Sequence, residues 1–146
     1  MIIEQLVTSF IATAAFGVIF NIPRESLIKC GLVGMFGWTV YILLTNEGFD
    51  AVFASLIASF TIAVISQVFA KRYKKPVIIF SVAGIIPLVP GGMAYDAMRH
   101  FVENDYNTAV AIGAKVTMIS GAIAIGLVFS EAVNQSIRST TLFSKR

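Results

Sequence analysis

The chain has 146 residues and a formal net charge of +3, and its mean hydropathy is +0.83. Hydrophobic residues make up 57% of it and charged residues 13%, about half the charged share of a soluble domain. This composition excludes a water-soluble fold and gives no indication of nucleic-acid binding. It predicts one all-α, polytopic membrane domain over residues 1–146.

Five uncharged or nearly uncharged stretches predict five transmembrane helices, because each is long enough to cross the hydrocarbon core. They cover about residues 5–22, 25–45, 51–70, 76–101 and 108–130. The first is expected to be a retained helix and not a cleaved signal peptide, since no basic residue precedes it. Pro23 is expected at the start of the second helix.

The fourth stretch contains a predicted break. Residues 76–95 carry no charge, yet residues 86–92 read Ile-Pro-Leu-Val-Pro-Gly-Gly. Two prolines and two glycines disfavour one continuous helix, so we expect the helix to be broken at residues 87–92. Irregular backbone persists at membrane depth only where protein or water surrounds it, and many transporters build a substrate site from such a break. The alternative is a proline kink filled by neighbouring side chains or water.

Basic residues predict the orientation of the helices. They lie around the first and third connections and at the C-terminus: Arg24, Lys29, Lys71, Arg72, Lys74, Lys75, Arg138, Lys145 and Arg146. The connection over residues 46–50 has none. Because basic loops face the cytoplasm, we expect the N-terminus outside and the C-terminus inside the cell.

Small residues recur at helical spacing within three of the predicted helices: Gly31, Gly34, Gly37, Ala54, Ala58, Ser120, Gly121, Ala124 and Gly126. Such stripes let membrane helices approach closely. They are expected to pack this bundle, and the alternative is a surface for a partner subunit.

The break is the first candidate for substrate binding. If a helix resumes at Gly91 or Gly92, its first N–H groups are unpaired and its positive end suits a carboxylate or phosphate. Glycine also lets a ligand approach the backbone closely. Pro87, Pro90, Gly91 and Gly92 are therefore predicted to form part of a substrate site.

Tyr95 and Asp96 follow the break. Asp96 is predicted to bind a substrate ammonium group or to carry a proton, since a carboxylate within the membrane should face protein or water. Alternatively, it pairs with Arg99 and His100 at i+3 and i+4. Tyr95 either hydrogen-bonds the substrate or belongs to the aromatic belt at the membrane interface.

Lys115 is the only charged residue in the fifth stretch. If that helix begins near Tyr106, Lys115 lies too deep to reach the interface easily. It is then predicted to neutralise a substrate carboxylate or to pair with Asp96 or Glu131. If the helix begins near Ala111, Lys115 lies among the lipid headgroups.

Catalytic and metal-binding patterns are absent from the sequence. It contains no nucleophile–base group, paired catalytic carboxylates, phosphate-binding loop or metal-ligand spacing, so neither an enzyme nor a metal or cofactor site is expected. The single Cys30 excludes an internal disulfide and is expected to be a small buried residue.

Two sequence features resemble the small subunit of the threonine/serine exporter family. The first is residues 86–91, Ile-Pro-Leu-Val-Pro-Gly, with Tyr95 a few residues later. The second is residues 20–23, Phe-Asn-Ile-Pro, before a glycine-rich second helix. The resemblance covers essentially the whole chain. It carries over to Pro87, Pro90, Gly91 and Tyr95, whereas Gly92 and Asp96 stand outside the family pattern.

The resemblance implies a bacterial inner-membrane exporter of small carboxylate metabolites, either threonine and serine or a dicarboxylate such as succinate. It also implies coupling to the proton gradient and a larger partner subunit, giving a hetero-oligomer, with a homo-oligomer as a further option. The alternative is a non-transporting accessory subunit that stabilises a larger membrane partner. The lack of a pore-lining charge ring argues against a channel.

Overall fold

The computed structural model is helical and describes the backbone of residues 2–143 and the side chains of residues 3–137. Its helices are α1 (Ile2–Ile19), α2 (Arg24–Asn46), α3 (Ala51–Tyr73), α4 (Val77–Gly84), α5 (Gly91–Val102) and α6 (Tyr106–Phe143), with a 3₁₀ turn at Ile86–Leu88. Lys145 and Arg146, on which part of the predicted orientation rests, lie outside the described residues, as does the side chain of Arg138.

The all-α, polytopic architecture predicted from the sequence is confirmed. Among the described residues, three helices are long and apolar enough to span a bilayer, namely α2, α3 and α6 over Tyr106–Ile137. The fourth candidate is the broken pair, in which Val77–Leu88 and Gly91–Val102 meet at 50°. The apolar helix α1 is shorter than these three, so its crossing of the membrane stays a prediction.

Prolines and polar residues set the helix ends that the sequence indicated. Pro23 and Pro76 directly precede α2 and α4, where the missing N–H group costs no helical hydrogen bond. The Asp50 carboxylate accepts a hydrogen bond of 2.9 Å from the backbone N–H group two residues later, at the start of α3.

α3 continues past its predicted end because two basic residues, which are good helix formers, follow. It stops where Lys74 adopts a left-handed φ of 53°. α6 likewise continues beyond its predicted end.

α2 and α3 form the centre of the bundle. α1 packs against α2, α4 against both α2 and α3, α6 against α3, and α5 mainly against α6. The core between them is apolar and includes Val33, Ile62 and Phe80. Cys30 is fully buried there, and its Sγ donates to the Ile79 carbonyl at 3.4 Å. α5 is thus placed by α6 and stands outside the central helix pair.

Glycines let these helices approach closely, as the small-residue spacing in α2 predicted. A β-carbon at Gly34 would lie 2.8 Å from Thr13 Cβ of α1, and one at Gly126 of α6 would lie 2.7 Å from the Leu56 carbonyl oxygen of α3. A β-carbon at Gly121, by contrast, would meet nothing within 4 Å. Of the four small residues predicted to pack on α6, Gly126 is buried, whereas Ser120, Gly121 and Ala124 are exposed.

The basic connections lie at one end of the bundle. Lys29 Nζ, near the start of α2, stands 3.7 Å from the centroid of the Tyr73 ring at the end of α3. Lys71 Nζ, also near the end of α3, donates a hydrogen bond of 3.0 Å to Asn134 Oδ1 of α6. We name this the basic end. Its cytoplasmic location stays a prediction.

α3 and α6 run parallel. The rings of Phe60 and Phe129 lie 5.8 Å apart, and further along both helices Gln67 Nε2 donates to Ser130 Oγ at 3.3 Å. Because the contacts advance in the same direction on both helices, the last turns of α3 and the later part of α6 meet at the basic end. The first part of α6 is left to pack against α5.

Candidate functional site

The break between α4 and α5 is built around prolines. α4 ends at Gly84, and the 3₁₀ turn that follows contains Pro87. Val89 is extended, with φ −64° and ψ 124°, and Pro90 directly precedes α5. Proline lacks an N–H group and disfavours a helical conformation in the residue before it, so one continuous helix cannot form here. The chain turns by 50°, and a new helix begins at Gly91.

The start of α5 is exposed, and part of its backbone has no hydrogen-bond partner among the described residues. The Gly91 N–H group donates to the Val89 carbonyl at 2.8 Å, and the Ala94 N–H group donates to the Pro90 carbonyl at 3.0 Å. Within the described part of the chain, the N–H groups of the two residues between Gly91 and Ala94 have no acceptor. Gly91 and Gly92 are exposed, and a β-carbon on either would meet nothing within 4 Å. The positive end of α5 is therefore accessible.

Pro87 lines a cleft that reaches to α1 and α2. The cleft has a volume of about 210 Å³ and is otherwise lined by Gln5, Thr8, Ser9, Ala12 and Trp38. Its wall is mostly apolar, with hydroxyl and amide groups contributed by α1. Our sequence reasoning did not identify these residues of α1 and α2. The sequence feature that could have pointed to the residues of α1 is the group of polar residues near the start of this otherwise apolar helix.

Tyr95 and Asp96 lie in the early turns of α5, in different environments. The Tyr95 side chain is 69% exposed. The Asp96 carboxylate lies 3.8 Å from the Arg99 guanidinium, and both side chains are about half exposed. His100, the other predicted partner of Asp96, lies instead 3.4 Å from Asp105. Of its two predicted partners, Asp96 thus pairs with Arg99 and not with His100, and this ion pair is about half exposed.

Asp105 lies in the connection between α5 and α6 and precedes the first turn of α6. Its Oδ1 accepts from the Thr108 N–H group at 3.3 Å, and hydrogen bonding by Thr108 is the main reason that the pKa of Asp105 is lowered. His100 lowers it further by its charge. The resulting stabilisation is present above the usual pKa of an aspartate and is lost as the pH falls through the lowered value.

The register between α3 and α6 sets the depth of Lys115. An α-helix rises by about 1.5 Å per residue. Along α6, Lys115 therefore lies about 28 Å before Asn134. Along α3, Ala51 lies about 30 Å before Lys71. Lys71 and Asn134 are hydrogen-bonded, and Gly126 packs against the backbone of Leu56 and Phe60, so Lys115 stands at or beyond the level of the first residue of α3. α6 does begin at Tyr106, but its first turns extend beyond the start of α3.

The Lys115 side chain is exposed. Among the described side chains, no ion pair joins it to Asp96 or Glu131. Its ammonium group is therefore available to a carboxylate. No hydrogen bond or ion pair of the described residues brings it to the break.

Comparison with known protein families relates most of the chain to one of them. A family model described as "Threonine/Serine exporter, ThrE" matches residues 5–133, which is most of the chain. No solved structure matches it. The matched family is one of membrane transporters and not of enzymes. The chain therefore belongs to the threonine/serine exporter family.

Proposed function

We propose that the chain is the small subunit of a bacterial inner-membrane exporter of small carboxylate metabolites, coupled to the proton gradient. The solute is threonine and serine, or a dicarboxylate such as succinate, and the chain works with a larger subunit. Family membership supports transport and an amino-acid substrate. The partner, the coupling ion and the direction of transport belong to the proposal.

The observation that carries this proposal is the open start of α5. Two N–H groups that have no acceptor among the described residues, together with a positive helix end, are complementary to a carboxylate. Among the described residues, no other part of the chain lies within 4 Å of a β-carbon added at Gly91 or Gly92. Unpaired backbone groups are costly within a membrane, so substrate, water or the larger subunit must complete their hydrogen bonding.

We assign roles to the residues around this point by their chemistry. Pro87 and Pro90 hold the break open, and the exposed Tyr95 hydroxyl is placed on the same helix to hydrogen-bond the solute. Asp96 binds a solute ammonium group or carries the proton. Lys115, whose ammonium has no partner among the described side chains, is the second contact for a carboxylate.

The proposed topology places the N-terminus outside and the C-terminus in the cytoplasm. The gathering of Lys29 and Lys71 at one end supports a common side for the first and third connections. The preference of basic loops for the cytoplasm then gives the orientation.

Flux through the assembled pair tests the proposal. The chain and the larger subunit would be purified together and placed in liposomes with an imposed proton gradient, and the movement of labelled threonine, serine and succinate would be measured. We expect saturable flux of at least one solute, and loss of that flux when the gradient is dissipated. Absence of flux for all three would refute the proposed function.

A second candidate function, that of a non-transporting accessory subunit, is favoured by a specific observation on α6. A β-carbon at Gly113 or Gly121 would meet nothing within 4 Å, so this face is open to a helix of another subunit. Under this alternative, Gly121→Leu lowers the amount of the larger subunit in the membrane, and substitutions at the break leave flux unchanged.

Asp96→Asn tests the coupling role. Exposed ion pairs are weak, so the contact with Arg99 leaves the Asp96 carboxylate accessible for the proposed coupling role. We expect the variant to lose the dependence of flux on the imposed proton gradient, measured at several gradients, while Arg99→Gln keeps it. An unchanged dependence in Asp96→Asn would reject Asp96 as the proton carrier.

A further inference from the structure

A second polar cleft lies between α3 and α6, at the basic end and away from the break. Its volume is about 270 Å³, and its polar lining consists of Gln67, Lys71, Ser130 and Asn134, with aliphatic side chains around them. These four residues lie on two parallel helices, which also meet at the Phe60–Phe129 ring pair and where Gly126 packs against Ser59 and the Leu56 backbone. The cleft is a little smaller than a typical pocket for a drug-sized ligand, so a small metabolite suits it.

Gln67 and Ser130 are the two buried polar residues of the cleft lining. The amide of Gln67 is the larger of the two groups. Gln67 is only 8% exposed, although it lies within a candidate membrane helix. Its Nε2 donates to Ser130 Oγ at 3.3 Å and to Glu131 Oε2 at 3.2 Å. Its Oε1 has no donor among the described residues, and it is not one of the enclosed side-chain atoms. This accessible amide oxygen can therefore accept a hydrogen bond from a molecule outside the chain.

Lys71 and Asn134 supply donors to the same cleft. Lys71 Nζ donates to Asn134 Oδ1 at 3.0 Å, which uses one of the three ammonium donors. The bond also occupies the amide oxygen of Asn134 and leaves its NH₂ group as a donor. A cation and an adjacent amide donor form a charge-assisted site for a carboxylate. The cleft lining therefore includes donors, from Lys71 and Asn134, and an acceptor, the amide oxygen of Gln67.

We propose that this cleft binds a small amino acid, with its carboxylate on Lys71 and Asn134 and its ammonium or hydroxyl group on Gln67 Oε1. Lys71 is the one cation of the described lining, so the site matches a single carboxylate. A dicarboxylate would place its second charge near the amide oxygen. The inference rests on the proposed function in that the ligand is the transported solute, and it adds a recognition site separate from the break.

Three variants of the complex with the larger subunit test this site. Lys71→Gln removes the cation, Lys71→Arg retains it, and Arg72→Gln removes a neighbouring charge that does not line the cleft. Equilibrium binding of labelled threonine and serine and the concentration dependence of their flux would be measured in phosphatidylcholine vesicles with and without phosphatidylglycerol. Loss of a charge-assisted hydrogen bond predicts about tenfold weaker binding and an equal rise in half-saturation for Lys71→Gln. Lys71→Arg and Arg72→Gln should stay within about twofold of the wild type, since neither removes the cleft cation.

Two results would overturn the site while leaving the transport function intact. One is equal half-saturation and binding in Lys71→Gln and the wild type. The other is a difference that appears only with phosphatidylglycerol, because Lys71 would then hold a lipid headgroup. If the wild type binds threonine with the expected dependence on Lys71 but shows no flux, the site stands and the proposed transport function fails.

Discussion

Replacing Gly91 with leucine is expected to abolish solute flux while membrane insertion stays normal. The leucine side chain would fill the open space beside the free N–H groups of α5, so a carboxylate could no longer reach them. Folding should be spared, because a β-carbon at Gly91 meets nothing within 4 Å and Gly91 has no positive φ. Leucine also favours a helix over glycine, by up to about 1 kcal/mol. Loss of charge-assisted hydrogen bonds predicts a fall in flux of more than about tenfold.

The matched control for this variant is Gly121→Leu, which adds the same side chain at another glycine with free space around it. Its flux is expected to equal that of the wild type, once corrected for the amount of larger subunit that purifies with it. Flux would be measured with labelled threonine and serine in liposomes. Full flux in Gly91→Leu would remove the break from the substrate site.

The break and the helix ends could be predicted from the sequence because their causes are local. Proline removes a donor and fixes its own φ, so Pro23, Pro76 and Pro90 each lie directly before a helix. Such features depend on residues close together in the chain.

The remaining features depend on how helices far apart in the sequence pack together. The cleft at Pro87 exists because α1 and α2 pack against the 3₁₀ turn. The polar cleft depends on Gln67 meeting Ser130 across two helices. The level of Lys115 follows from the register of α6 with α3, which no local pattern encodes. The roles proposed for these residues in transport stay predictions.

Gly126→Leu is expected to prevent stable packing of α6 against α3. A β-carbon at Gly126 would lie 2.7 Å from the Leu56 carbonyl oxygen and 3.1 Å from the Phe60 nitrogen, and these backbone atoms cannot rotate away. Forcing extra volume into such a contact costs about 1–3 kcal/mol, and a whole leucine side chain should reach the upper part of that range. Thermal unfolding of the purified chain in detergent would measure the loss as a lower melting temperature.

Gly121→Leu again serves as the control, since it adds equal volume on the exposed face of the same helix. Its melting temperature should match that of the wild type, and equal melting temperatures for both variants would contradict close packing at Gly126. The two glycine predictions also separate stability from binding. Gly126→Leu should lower flux in proportion to the folded protein that remains, whereas Gly91→Leu should lower the flux per folded molecule. A proportional loss in both variants would show that the break contributes to the fold and not to the substrate site.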